Sequence, residues 1–208
     1  MMRKKLATLF IIYTRYVLGG AFIFASIIKI KGDRFTTESG ENYPINSAWH
    51  MFETFYRSGL FWEFIGWTQL LIGALLITQK WSRLGSFLCL PLSLNIFVIT
   101  LSYYFAYTPV ITGLMVLANL LLILWEWSAL KVLLNFTPQF KKPTALEAHP
   151  IWMVTGILLL LFTVIYRSAV SRYDLMLWLT ICFIIGMVAL LWATFKLRIF
   201  RSSKAFMN

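Results

Sequence analysis

Arg15 stands inside an apolar run, "YTRYVLGGAFIFASIIKIK" (residues 13–31). At that depth in a bilayer a charge is costly, and it normally faces a bundle interior or a wet cavity. Three amides, Gln69, Asn95 and Asn119, recur at comparable depth in other apolar runs. Counted at 1.5 Å per residue from the ends of their segments, all four groups lie roughly 13–17 Å inside. Two uses follow from the residue types. A guanidinium surrounded by neutral acceptors stays charged, and its planar fork suits an anionic or carbonyl-bearing ligand. Alternatively the same groups hydrogen-bond one another and backbone carbonyls and fix the register of a helix bundle. Glu63 and Glu126 lie toward opposite ends of their segments, so neither is expected as a midplane counter-ion.

The elements that must carry these groups are membrane helices. Of 208 residues, 60% are hydrophobic and 13% charged, against about 45–50% and about 25% in a soluble domain. A spanning helix needs about 20 mostly apolar residues, and six segments qualify: 7–30, 60–79, 83–106, 108–130, 150–167 and 174–198. In the first segment the face of Arg15 carries Gly19, Phe22, Ser26 and Lys29. In the second it is Trp62, Gly66, Gln69 and Gly73, with Glu63 beside it. The third gives Pro91, Asn95 and Ser102, the fourth Thr112, Asn119 and Glu126. Pro91 removes one helical hydrogen bond and frees the Phe87 carbonyl. The last two segments offer only Thr155, Thr163, Thr180 and Cys182. The expected fold is therefore all-α: a four-helix transmembrane bundle (1–130), a cytoplasmic linker (131–149), and a C-terminal transmembrane hairpin with a basic tail (150–208).

Charge placement sets the orientation. The net charge of +11 sits at segment ends, not in the aromatic-interleaved patch of a nucleic-acid binder, and no nucleic-acid partner is expected. With both termini inside, Arg3, Lys4, Lys5, Lys80, Arg83, Lys131, Lys141, Lys142, Lys196, Arg198, Arg201 and Lys204 are inner. Only Lys31, Arg34, Arg57, Arg167 and Arg172 are outer. Both termini are thus expected in the cytoplasm. The run after "MMRKK" exceeds a signal-peptide core, so it reads as a retained first helix. The outer loop carries "AWHMFETFYRS", an amphipathic helix at about 47–58 that Ser47 caps and Gly59 ends. It reads as a lid over a site or as a surface-packed element.

Several chemistries lack residues. Cys89 and Cys182 are distant and form no C-x-x-C pair. His50 and His149 fall on opposite sides and cannot jointly hold a haem, and no cluster has metal-ligand spacing. There is no phosphate loop, dinucleotide fingerprint or Ser-His-Asp set. No catalytic residue is identified, and an enzyme here would need a bound quinone or a partner protein.

"RYVLGGAFIFASIIKIKG", through Arg15, Gly19, Phe22, Ser26 and Lys29, resembles the first helix of the DoxX-like membrane proteins. "FIGWTQLLIGALLITQKWSRLG" and "TPVITGLMVLANLLLILWEW" are similar to that family's second helix with its basic turn and to its fourth helix. The resemblance covers about residues 8–130. It implies a bacterial inner-membrane four-helix bundle, in some members associated with quinone-linked oxidoreductase systems. On that reading Arg15, Gln69 and Asn95 hydrogen-bond a quinone head-group, Asn119 completes the polar layer, and Phe22 and Trp62 pack on the ring. One departure is Gln69, where members often carry a glutamate, so carboxylate chemistry at that position is not implied here. The alternative is a non-enzymatic scaffold or assembly factor whose polar layer is structural and whose outer helix or extra hairpin docks a periplasmic or membrane partner. A solute or lipid transporter ranks below both, because no inverted repeat or broken helix pair is visible.

Overall fold

The computed structural model describes residues 2–139, 143–170 and 174–197. Lys141, Lys142, Arg172 and the basic tail from Arg198 onward lie outside the described residues. Among the described residues seven α-helices follow one another: α1 (Met2–Ile30), α2 (Ala48–Arg57), α3 (Leu60–Ile77), α4 (Ser82–Ser102), α5 (Thr108–Leu130), α6 (Pro150–Ala169) and α7 (Leu175–Leu197). No strand occurs among the described residues. All but α2 are long and apolar enough to cross a membrane, so this is a multi-pass membrane protein in contact with lipid.

The helix boundaries have local causes. Pro109 and Pro150 lie in the first turns of α5 and α6, where a missing N–H is no loss. His149 caps α6 by accepting the Ile151 N–H at its Nδ1 (3.2 Å). The Ser47 hydroxyl caps α2 by accepting from the His50 N–H (3.2 Å). Gly59, at φ 58°, turns the chain out of α2 into α3.

Two apolar cores meet on opposite sides of α1. Ile11, Leu18 and Phe22 pack with Ile72 and Leu76 of α3, Cys89 of α4 and Leu122 of α5. Leu9, Ile12, Tyr16 and Ile23 pack with Ile77 of α3, Trp152 and Leu159 of α6, and Ala189 and Ala193 of α7. Lipid tails are as apolar as these side chains, so helices in a bilayer associate through close packing and polar contacts. The α1–α3 seam does so at Gly19 and Gly73, which touch backbone to backbone. Gly156 does the same for α6, where a Cβ would lie 1.9 Å from the Ile77 carbonyl oxygen.

The helices thus run between a turn end (start of α1, the 78–81 turn, start of α6) and a loop end (residues 31–59). At the loop end Glu53 is buried, accepting from Arg34 Nε and Nη2 (both 3.0 Å), Arg57 Nε (2.8 Å) and the Gly40 N–H (3.2 Å). Trp49 and Phe52 of α2 pack edge-on against Phe105 of the α4–α5 connection. The expected surface helix is therefore part of an ordered cap. Its most buried residues are Ala48, Met51 and Glu53, and the expected apolar face of Trp49, Phe52, Phe55 and Tyr56 is only partly covered.

Candidate functional site

Arg15 is 2% exposed, and its charge is met by carboxylates. Nη2 donates to Glu126 Oε1 at 2.7 Å and Nη1 to Gln79 Oε1 at 3.0 Å. Glu147 lies 3.8 Å from Nη2, and Arg83 Nε donates to the second Glu126 oxygen at 2.8 Å. The cluster joins α1, the α3–α4 turn, α4, α5 and the segment before α6. Gln79 occupies a left-handed conformation (φ 62°), uncommon for a residue with a side chain. Its amide is used twice, accepting from Arg15 and donating through Nε2 to the Ile12 carbonyl (3.3 Å).

This corrects the expected partner set. Glu126 is the counter-ion that its place near a helix end argued against, and the reason is register. The Gly19–Gly73 contact puts Arg15, one turn nearer the start of α1, level with the end of α3 at Ile77. Helix α1 begins at Met2 and α3 ends at Ile77, so α1 runs on past the end of α3 at the turn end. An arginine side chain also leans toward the N-terminus of its helix. Arg15 therefore reaches the turn end, not a midplane layer.

The other expected ligands are dispersed. Gln69 is buried between Gly66 and Gly73 on the α3 face applied to α1, and its Oε1 has no partner among the described residues. Asn119 is fully buried against α4, and the amide orientation that satisfies both of its neighbours has its NH2 donating to the Ser86 carbonyl (3.0 Å) and its oxygen accepting from the Leu90 N–H (2.8 Å). These are backbone groups on the turn just before Pro91, where a helix most needs outside support. Asn95 is exposed on the opposite side of α4. Phe22 is buried in the α1–α3–α4–α5 core. Trp62 lies at the loop end, donating to the Asp33 carbonyl (3.0 Å) and supporting Lys29, whose Nζ is 5.0 Å from its ring. Arg15 thus meets none of Gln69, Asn95 and Asn119. Its partners are Gln79, Glu126 and Glu147, with Arg83 bonded to the far side of Glu126; the charged members flank helix ends, and that is their one sequence signal.

Arg15 borders open space. A cavity of about 640 Å³ at the turn end is lined by Arg15, Lys80, Arg83, Glu126, Glu147 and His149, with Trp81 and Trp152 among its apolar walls. Among the described residues Arg15 Nε has no hydrogen-bond partner. Arg83, about half exposed, presents the outer edge of the ion cluster. A second cleft of about 750 Å³, almost wholly apolar, runs between α1, α6 and α7 past Tyr13, Gly20 and Trp178. The hydroxyls of Tyr13 and Tyr16 are committed to the Gly186 and Trp152 carbonyls (2.7 and 2.5 Å), so this cleft offers surface for a hydrocarbon chain, not for a polar head. Among the described residues no group of His, Cys, Asp and Glu is placed to hold a metal ion. Compared with known proteins, the chain matches no family model, no curated protein and no solved structure.

Proposed function

We propose that this chain is a DoxX-like protein of a bacterial inner membrane acting as a non-enzymatic scaffold or assembly factor. In this reading α1, α3, α4 and α5 are the four-helix bundle, α6 and α7 an added hairpin, and both termini are cytoplasmic. The observation that carries it is the closure of the Arg15 charge by Glu126 and Gln79. A buried arginine already paired with α5 and with the α3–α4 turn is a fixed joint, and the fully buried amide of Asn119 is spent on the α4 backbone. The ordered cap at the loop end and the exposed faces of α6 and α7 are then the surfaces offered to a periplasmic or membrane partner.

A second reading has its own observation. The turn-end cavity opens onto Arg15 and Arg83, and Arg15 Nε has no hydrogen-bond partner among the described residues. A quinone or lipid head-group would sit there, with the chain acting as the quinone-binding subunit of an oxidoreductase system whose electrons come from a partner.

Mass spectrometry of small molecules extracted from gently purified wild type and Arg15→Gln separates the two. The scaffold reading expects no specific ligand in either and a destabilised variant. A quinone or lipid retained by wild type and lost from a well-folded variant would replace it with the second reading.

A further inference from the structure

Helix α4 shows lipid a stripe of exposed residues, Leu84, Phe87, Pro91, Leu94, Val98 and Leu101, at alternating spacings of three and four. This is the spacing of a helix–helix seam. The opposite face of α4 is already taken: Gly85 meets the α3 backbone near Leu75, and Asn119 of α5 bonds Ser86 and Leu90. Asn95 lies in the exposed stripe beside Leu94, about 10 Å inside the nearer end of the helix at 1.5 Å per residue.

Asn95 differs from the hydroxyls of the spans. Within the spans the hydroxyls of Thr14, Thr68, Ser102 and Thr180 each donate to a carbonyl of their own helix, at 2.8–2.9 Å. A hydroxyl can hide in this way in hydrocarbon, but a primary amide has two donors and an acceptor and cannot. Gln69 and Asn119 are buried. Asn95 is the exposed amide among the described spans, and no hydrogen bond satisfies it.

We propose that the α4 stripe is the interface of a homodimer, with Asn95 of one copy bonding Asn95 of the other across a two-fold axis. A carboxamide is self-complementary, since its NH2 donates to the C=O of an identical group, and a two-fold places identical residues opposite each other. The apolar residues around it then supply the packing and the amide pair fixes the register. A second copy is the occupant that needs no complementary residue from elsewhere, and α4 is free to receive it without disturbing the contacts within one chain. The interface does not depend on which reading of Arg15 holds.

The test is the monomer–dimer equilibrium of purified protein in micelles and nanodiscs, for wild type, Asn95→Leu and Asn95→Gln. It is paired with disulfide trapping of single cysteines introduced at Leu94, Val98, Leu101 and, on α5, Leu117. Wild type is expected to dimerise, with trapping at the α4 positions and none at Leu117. Asn95→Leu should weaken the dimer roughly three- to thirty-fold, the range for an interhelical hydrogen bond in lipid, and Asn95→Gln should restore much of it. Unchanged thermal unfolding of diluted, monomeric Asn95→Leu would show that the change lies in association. A monomeric wild type, a dimer indifferent to Asn95→Leu, or trapping centred on α5 would each overturn the proposal.

Discussion

Gly19 and Gly73 meet so closely that a methyl group on Gly19 would lie 2.8 Å from the Gly73 carbonyl oxygen. One on Gly73 would lie 2.7 Å from that of Gly19. This contact is the ruler of the molecule, because it sets the height of α1 against α3 and so delivers Arg15 to the end of α3. Gly73→Val should force the two helices apart and cost about 1–3 kcal/mol, the usual penalty of overpacking a tight contact. Thermal unfolding in detergent measures it. An equally stable Gly73→Val protein would show that the seam is loose.

Asn119 ties α5 to the α4 turn that precedes Pro91. Asn119→Ala removes both hydrogen bonds and returns the Ser86 and Leu90 backbone groups to α4 alone. The expected loss is about 1–2 kcal/mol, since hydrogen bonds between membrane helices are individually modest. Asn119→Asp should cost more than Asn119→Ala, because it adds a charge at a fully buried position. Equilibrium unfolding of the two variants checks the order.

The loop-end cap depends on pH through Glu53. Hydrogen bonds from Arg34 and Arg57 hold its carboxyl down to about 2, against an ordinary 4.5. A depressed carboxylate contributes stability that is fully present above its unfolded value and is lost as pH falls through the folded one. The cap should therefore stay closed at pH 4.5 and loosen progressively toward pH 2. Pepsin, active over this range, reads it: cutting within residues 33–58 should rise as the pH falls in wild type. In Glu53→Gln it should already be fast at pH 4.5. Equal cutting of the two proteins at pH 4.5 would mean that the Arg34–Glu53–Arg57 cluster does not hold the cap.

Much of this architecture was legible in the sequence because hydropathy and capping are local. The six spans follow from apolar runs, and Ser47 and Gly59 bracket α2 as their chemistry requires. What could not be read was height and facing. Assigning Arg15, Gln69, Asn95 and Asn119 to one layer assumed that all segments start flush with one surface, whereas α1 overhangs. Placing Asn95 inside assumed that polarity points inward. In α4 the inward face is instead built from Ser86, Cys89 and Ser93, small residues that let α3 and α5 approach. The hydroxyls of Ser86 and Ser93 bond carbonyls of α4 itself (2.8 and 3.1 Å). Glu126 was missed because a helix-end carboxylate looks solvated until register puts an arginine beside it.

Arg15 is a structural charge held by Glu126, and a double-mutant cycle tests this most directly. Unfolding free energies would be measured in one detergent for wild type, Arg15→Leu, Glu126→Leu and the double variant. Glu126→Leu strands Arg15 in a buried site with Gln79 and the more distant Glu147, and should cost about 3–5 kcal/mol, as breaking a buried pair does. Arg15→Leu should cost less, because Arg83 still bonds Glu126 (2.8 Å). The double variant should lose clearly less than the sum of the two. Strictly additive losses, or a Glu126→Leu protein as stable as wild type, would contradict the account and return Arg15 to the role of a ligand-binding charge.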